Sequence, residues 1–380
     1  MIPYGRQFID EEDVAAVVET LRSDWLTTGP KVGEFENAVA EYTGAKHAVA
    51  VSSGTAALHC AMFALDIGPG DEVILPPMSF AATANCVVYQ GGTPVFVDVL
   101  SDTLLIDPDK IEEKITNRTK AIIAVDYAGQ PCDYNRLRDI ASAHKLKIVA
   151  DSCHALGAEY KGERAGTFAD LTVFSFHPVK HITTGEGGII ITNNSEFAAR
   201  MKRFRNHGID SDHRKRDQEG SWFYEMTDLG NNYRLTDIQC ALGLSQLGKL
   251  ESFLQKRNEI AEVYNGAFAK NEYITPLKKN NSVRHAYHLY VVKIDFNQLS
   301  VDRKGFYKNL RNKEIGVNVH YIPIHMHPFY RKKFNTNLGL CPVSEHVYGQ
   351  ILSLPIHPLL KIKELKYIVE TIQSEVAKYG

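Results

Sequence analysis

Tryptophan and cysteine are scarce, and neither sign of charge prevails: 380 residues hold two tryptophans and six cysteines, with a formal net charge of -2. So even a balance provides no field of the kind that gathers nucleic acid or an anionic membrane surface. The cysteines, at 60, 86, 132, 153, 240 and 341, have no CxxC spacing and lack the density of a stapled secreted domain. They are expected to be reduced and buried. No stretch approaches the roughly 18 uninterrupted apolar residues of a membrane span, and the start, MIPYGRQFIDEEDVAAVV, has no basic segment followed by an apolar run. Together these absences predict a cytoplasmic protein with neither nucleic acid nor membrane as partner. The short basic runs at 213–216 (HRKR) and 331–333 (RKK) read as solvated loop charge.

At 44% hydrophobic and 23% charged, the chain is suited to one large and one smaller domain. From 45 to 193 it repeats one grammar: a short aliphatic run, a break rich in Gly, Pro, Ser or Asp, then a helical pattern. The runs are 48–53, 72–77, 93–99, 120–129, 147–152, 171–176 and 188–193. Near-continuous apolar strands are buried on both faces, which predicts an α/β fold with a mostly parallel seven-stranded sheet between helical layers. An amphipathic pattern from Thr236, its expected cap, carries the chain into a smaller α+β unit; the division falls at 1–245 and 246–380. Strands are expected there at 287–294 and 316–324, with a closing helix over the last residues.

In an open α/β sheet, ligands bind beyond the carboxyl ends of the strands. Four such positions form a set. Gly54 and Thr55 open a helix, where free amides and the dipole favour a phosphate, although a plain cap is the simpler reading of either alone. Asp151 ends a strand with His154 three residues on; the carboxylate could serve a ring nitrogen or a helix start. Phe80 offers an aromatic face or a core side chain. In SFHPVKHITTGEGGIIIT (175–192), Ser175 and Lys180 precede a glycine turn that lets backbone approach a bound group. Together they provide a phosphate cup, a stacking face, an acid and an amine, the inventory that pyridoxal 5'-phosphate requires. Three histidines, His320, His325 and His327, lack the helical spacing of a zinc motif, so no metal is expected.

The ordered motifs GTAAL, PPMSFAATANCV, GGTPVFVDV, VDYAGQ, DSCHALGAEY, FSFHPVKHITTGEGG, GNNYRL and VHYIPIH resemble the DegT/DnrJ/StrS family of nucleotide-sugar aminotransferases, of the pyridoxal-phosphate fold type I. The similarity covers residues 4 to 357, and it is stronger towards the PseC-type branch of pseudaminic acid synthesis. It implies transfer of the amino group of L-glutamate to C4 of a UDP-linked 4-keto-6-deoxy-N-acetylhexosamine. It makes Lys180 the lysine that bonds the cofactor aldehyde, Asp151 the partner of the pyridine nitrogen, Phe80 the stacking residue and His154 a neighbour of the cofactor. Gly54, Thr55 and Ser175 would hold the phosphate. The resemblance also implies a homodimer with shared active sites, Asn232 and Arg234 reaching the neighbour's cofactor or substrate. Sugar contacts would come from Tyr4, from Asp24, Trp25, Leu26 and Thr27, and from His320, Tyr321, Ile322 and Pro323. Rival readings are amination of another UDP- or dTDP-keto sugar at C4 or C3, a sugar dehydratase on the same scaffold, and a non-catalytic regulator. Dehydratases of this kind replace the lysine, usually by histidine, whereas Lys180 is present beside His181.

Overall fold

The computed structural model describes residues 1–210, 216 and 220–380; the expectation for the basic run at 213–216 lies, but for Arg216, outside the described residues. The seven aliphatic runs form one sheet: β1 (His47–Val51), β2 (Glu72–Leu75), β3 (Thr93–Phe96), β4 (Thr119–Val125), β5 (Lys147–Asp151), β6 (Leu171–Ser175) and β7 (Gly188–Thr192). Their spatial order is β1-β7-β6-β5-β4-β2-β3. β7 alone runs against its neighbours; every other pairing is parallel. The strands are apolar throughout because both faces are covered. In β4, Ile122 and Ala124 enter one core while Ala121 and Ile123 enter the other. Each fully buried isoleucine there contributes about 1.5–3 kcal/mol relative to exposure.

One face is covered by α2 (Pro30–Thr43) and α5 (Tyr134–His144), the other by α3 (Gly54–Ala64), α4 (Ala82–Tyr89) and α6 (Ser195–Phe204). Ahead of them α1 (Glu11–Leu21) starts at a capping box of Asp10 and Asp13, with acids in its first turn where the dipole favours them. Thr236 caps α7 (Asp237–Phe268) through a second capping box with Gln239, as the sequence predicts. α7 has 32 residues and runs unbroken through residue 245. Its Leu250, Phe253 and Leu254 pack into the large core, and its Ile260, Ala261, Tyr264 and Phe268 into a third one.

That third core lies under a three-stranded antiparallel sheet of β8 (Ile274–Pro276), β9 (Tyr290–Ile294) and β10 (Ile351–Leu354), with the helix Ile362–Tyr379 closing the chain. The expected strand at 316–324 is not formed. Asn318 makes a single bridge to Ser353, and the third strand is Ile351–Leu354 instead. Two local causes act: the Val319 amide is taken by the Asn318 side chain at 2.8 Å, and Pro323 has no N–H to give a ladder. Among the described residues no helix is long and apolar enough to cross a membrane.

Candidate active site

The ends of β1, β6 and β7 converge on the start of α3. Ser53 caps that helix by accepting the Ala56 amide at 3.0 Å, so the amides of Gly54 and Thr55 belong to the first turn, where the helix offers them no acceptor. Those donors and the positive end of the helix dipole make an anion site. Side-chain-free backbone is required on two sides. A Cβ on Gly54 would meet Ser175 Cβ at 3.0 Å and Cys153 Sγ at 3.2 Å. One on Gly188 would fall 2.4 Å from the Ser53 carbonyl oxygen and 2.7 Å from the Gly54 nitrogen. Lys180 is reached from β6 through a loop that returns as β7, which brings the glycine turn of the sequence against this cup.

Asp151, at the end of β5, is 6% exposed. Its Oδ2 accepts the Thr83 hydroxyl at 2.6 Å and its Oδ1 the Cys153 amide at 3.3 Å, which aligns the carboxylate without neutralising it. Phe80, just before α4, is 61% exposed although it lines the same cavity, so its ring face is open to a planar ligand. His154 accepts the Ala128 amide on Nδ1 at 3.3 Å, which leaves Nε2 to donate to the Tyr321 hydroxyl at 3.0 Å. Burial, and after it the charge of Lys180 and the nearness of His320 and His181, hold its pKa well below the ordinary imidazole range. It is neutral at working pH.

Burial also lowers the pKa of Lys180, opposed by Cys153 and Asp151, which favours the neutral, nucleophilic amine. Its Nζ lies 3.4 Å from His288 Nε2. His181 points elsewhere: its Nε2 is 3.0 Å from the Ala286 carbonyl oxygen.

One cavity of about 530 Å³ is lined by Tyr4, Gly54, Thr55, Phe80, Asp151, His154, Ser175, Lys180, His320 and Tyr321 together. The remaining residues named from the sequence are not in it. Thr27 and Arg234 line a second cavity of about 750 Å³ with Asn206 and Arg205. Asp237 builds that side by accepting the amides of Gly29 at 2.7 Å and Lys31 at 2.9 Å, while its own amide bonds Leu26. Asp24, Trp25, Leu26, Asn232 and Ile322 are exposed, and Pro323 is buried outside both cavities. His325 pairs with Glu345 at 2.8 Å and His320 Nδ1 with Ser353 Oγ at 2.8 Å, so these two histidines of HYIPIHMHPF serve separate partners.

Sequence reasoning missed Ser79, Thr83, Glu186, His288 and Asn318, all of which line the Lys180 cavity. Thr83 had a signal, three residues after Phe80 on the same helix start. His288 had none, since it arrives from the smaller sheet.

The residues present fit pyridoxal 5'-phosphate on the structure's own terms: a cup that a Cβ would fill, a buried carboxylate with no cation bonded to it among the described residues, an open aromatic face and a desolvated amine. Comparisons with known proteins agree. The profile of the DegT/DnrJ/EryC1/StrS aminotransferase family matches residues 7–373. The uncharacterized protein MJ1066 of Methanocaldococcus jannaschii is 45% identical over 99% of this chain and 98% of its own. The UDP-4-amino-4,6-dideoxy-N-acetyl-beta-L-altrosamine transaminase of Campylobacter jejuni is 38% identical over 100% and 98%. The UDP-4-amino-4-deoxy-L-arabinose--oxoglutarate aminotransferase of Shewanella sediminis is also 38% identical, over 99% and 98%. Among solved structures, Helicobacter pylori PseC superposes with a TM-score of 0.92 at 36% identity, covering all of both chains. The Streptococcus pneumoniae putative sugar aminotransferase Spr1654 in its PLP form gives 0.93 at 35% identity over 99% of each.

Proposed function

Because the chain belongs to the DegT/DnrJ/EryC1/StrS aminotransferase family, and is a sugar aminotransferase that uses pyridoxal 5'-phosphate, we propose that it moves the amino group of L-glutamate to C4 of a UDP-linked 4-keto-6-deoxy-N-acetylhexosamine. The observation that carries this reading is the joining of Lys180, Asp151, Phe80 and the Gly54–Thr55 cup in one cavity whose opposite wall is Tyr4, His320 and Tyr321. The C. jejuni transaminase and H. pylori PseC support the choice of sugar.

When bound, the cofactor supplies an electron sink for the pair released as a substrate carbon loses its proton. Gly54, Thr55 and Ser175 would hold its phosphate, Phe80 would cover its ring, and Asp151 would pair with its ring nitrogen. Lys180 Nζ, its basicity lowered by burial, would take the proton from the donor's Cα and return one to the acceptor sugar. His154, neutral and tied to Tyr321, offers the site a fixed edge rather than a second charge.

The same proposal includes a homodimer. Thr27 and Arg234 lie together in a cavity apart from Lys180, which is the arrangement expected if each chain lends them to the other's site. Residues 1–245 would then bind the cofactor and 246–380 close the substrate side.

The test is a panel of UDP- and dTDP-linked keto sugars offered with glutamate and analysed by mass spectrometry. The expected product has the carbonyl oxygen replaced by an amine and a hydrogen, from the UDP-N-acetyl substrate, with 2-oxoglutarate formed alongside. Amination of a UDP-keto pentose instead would transfer the reading to the chemistry of the S. sediminis relative, and loss of oxygen without gain of nitrogen would make the protein a dehydratase.

A further inference from the structure

The groups so far assigned to the cofactor, Gly54, Thr55, Phe80, Asp151, His154 and Ser175, come from strand ends and helix starts around the large sheet. His288 comes from the other side, two residues ahead of β9, is 4% exposed, and brings Nε2 to 3.4 Å from the Lys180 amine.

Its backbone is fixed from two directions. The Ala286 amide bonds the Gly129 carbonyl at 2.9 Å and the Leu289 amide the Ala128 carbonyl at 3.2 Å. From α7, Arg257 Nη1 donates to the carbonyls of Tyr287 at 3.1 Å, His288 at 3.3 Å and Ile356 at 3.0 Å. This hold is costly. Arg257 is wholly buried, and its Nε and Nη2 have no hydrogen-bond partner among the described residues. Tyr287 and Ala128 both carry left-handed backbone, at φ 45° and 58°. Burying a guanidinium with two unpartnered nitrogens is a large expense for holding one segment, and it attends whatever that segment presents.

What it presents is one imidazole facing one amine. The charged and titratable groups around His288 are Lys180, His154 with its ring 4.4 Å away, His181 at 5.8 Å, and Arg257. None is an acid. Burial first, then these neighbours, keep the ring neutral. A buried, neutral imidazole beside the Arg257 guanidinium and the Lys180 amine cannot store the proton, but it can accept a hydrogen bond from the group that does.

We propose that His288 is a positioning residue for Lys180: its Nε2 accepts one N–H whenever the released amine carries a proton, so that the remaining N–H bonds face the cavity, and Arg257 fixes the backbone that makes this contact. The ring proton then resides on Nδ1, which has no hydrogen-bond partner among the described residues. The inference rests on Lys180 being the cofactor-bonding lysine.

The test uses the cofactor-free chain and measures how fast it captures pyridoxal 5'-phosphate across pH, by visible absorption. Only the neutral amine reacts, so the midpoint of the rate profile reports the basicity of Lys180. His288→Ala, which removes the acceptor, is expected to move the midpoint down by about one pH unit and to slow the single-turnover reaction with glutamate roughly 10- to 100-fold, with glutamate affinity changed less than about twofold. His288→Gln, whose amide oxygen can accept the same bond, is expected to restore the midpoint. An unchanged midpoint in His288→Ala, or an equal shift in His288→Gln, overturns the inference. If Lys180→Ala captures cofactor with the same profile as the natural chain, it is the underlying assignment of Lys180 that fails.

Discussion

Thr83 gives its hydroxyl proton to Asp151 Oδ2 at 2.6 Å and accepts that of Ser79 at 2.6 Å, which ties the start of α4 to the end of β5 across 68 residues of sequence. Both oxygens of Asp151 accept here, from the Thr83 hydroxyl and the Cys153 amide, so the carboxyl is aimed by its donors. Replacing it should therefore be far worse than replacing its orienting hydroxyl. Asp151→Asn is expected to lower the rate of the glutamate half-reaction by about 10³-fold or more, and Thr83→Val by about tenfold, the value of one hydrogen bond to a charged group. Rapid-mixing absorption measures both; full activity in Asp151→Asn would remove the electron-sink role.

Lys180→Ala is expected to abolish turnover and to change the visible band of the cofactor-loaded protein. A band identical to that of the natural chain would show that another amine bonds the aldehyde.

Gly188→Ala places a methyl group 2.4 Å from the Ser53 carbonyl oxygen. Backbone on both sides must move, so a loss of about 1–3 kcal/mol in stability is expected, together with weaker retention of cofactor on dialysis. Gly33→Ala, with nothing within 4 Å of the added group, is the control.

Two inactive variants should complement each other if sites are shared. A mixture of Lys180→Ala and Arg234→Ala chains, unfolded and refolded together, is expected to regain activity, because one site of each hybrid pair has both residues intact. Activity that stays at the level of the separate variants would place Arg234 outside the partner's site.

Asp126 sets a pH dependence of stability. It is wholly buried, accepting from Ser152 Oγ, the Cys132 amide and the Tyr134 hydroxyl, and burial pushes its pKa up from 3.8 to about 6. The folded chain thus holds this proton more tightly than the unfolded one. Its stabilising contribution is complete below about pH 4 and is lost as pH rises to about 6. Against Asp126→Asn, urea unfolding should show the natural chain losing on the order of 2–3 kcal/mol across that window, and no relative change above it.

The large sheet was legible because each of its strands is apolar on both faces, and a run such as 120–129 has no second interpretation once the breaks around it are counted. The site residues at strand ends were legible for the same reason: topology alone puts Gly54, Asp151 and Ser175 at one edge. The smaller sheet was not. The segment at 316–324 has strand composition, but the Asn318 side chain takes the next amide and Pro323 offers none, while the short run Ile351–Leu354 carries the pairing. Thr83 and His288 escaped because their importance is a distance to another element, and neither periodicity nor spacing encodes a contact made across 68 or 108 residues.

The reversed strand β7 removes the need for a crossover helix after β6, so the loop bearing Lys180 has no helical roof of its own. Its back is sheltered by the stretch from His285 to His288, through the bond of His181 to Ala286 and the approach of His288 to the amine. Swinging that stretch away from the sheet would leave the phosphate cup in place and remove the shelter. Water would reach the amine from behind, return it to the basicity of an ordinary surface lysine, and leave a sheet that could grip the vitamin's phosphate without attacking its aldehyde at neutral pH.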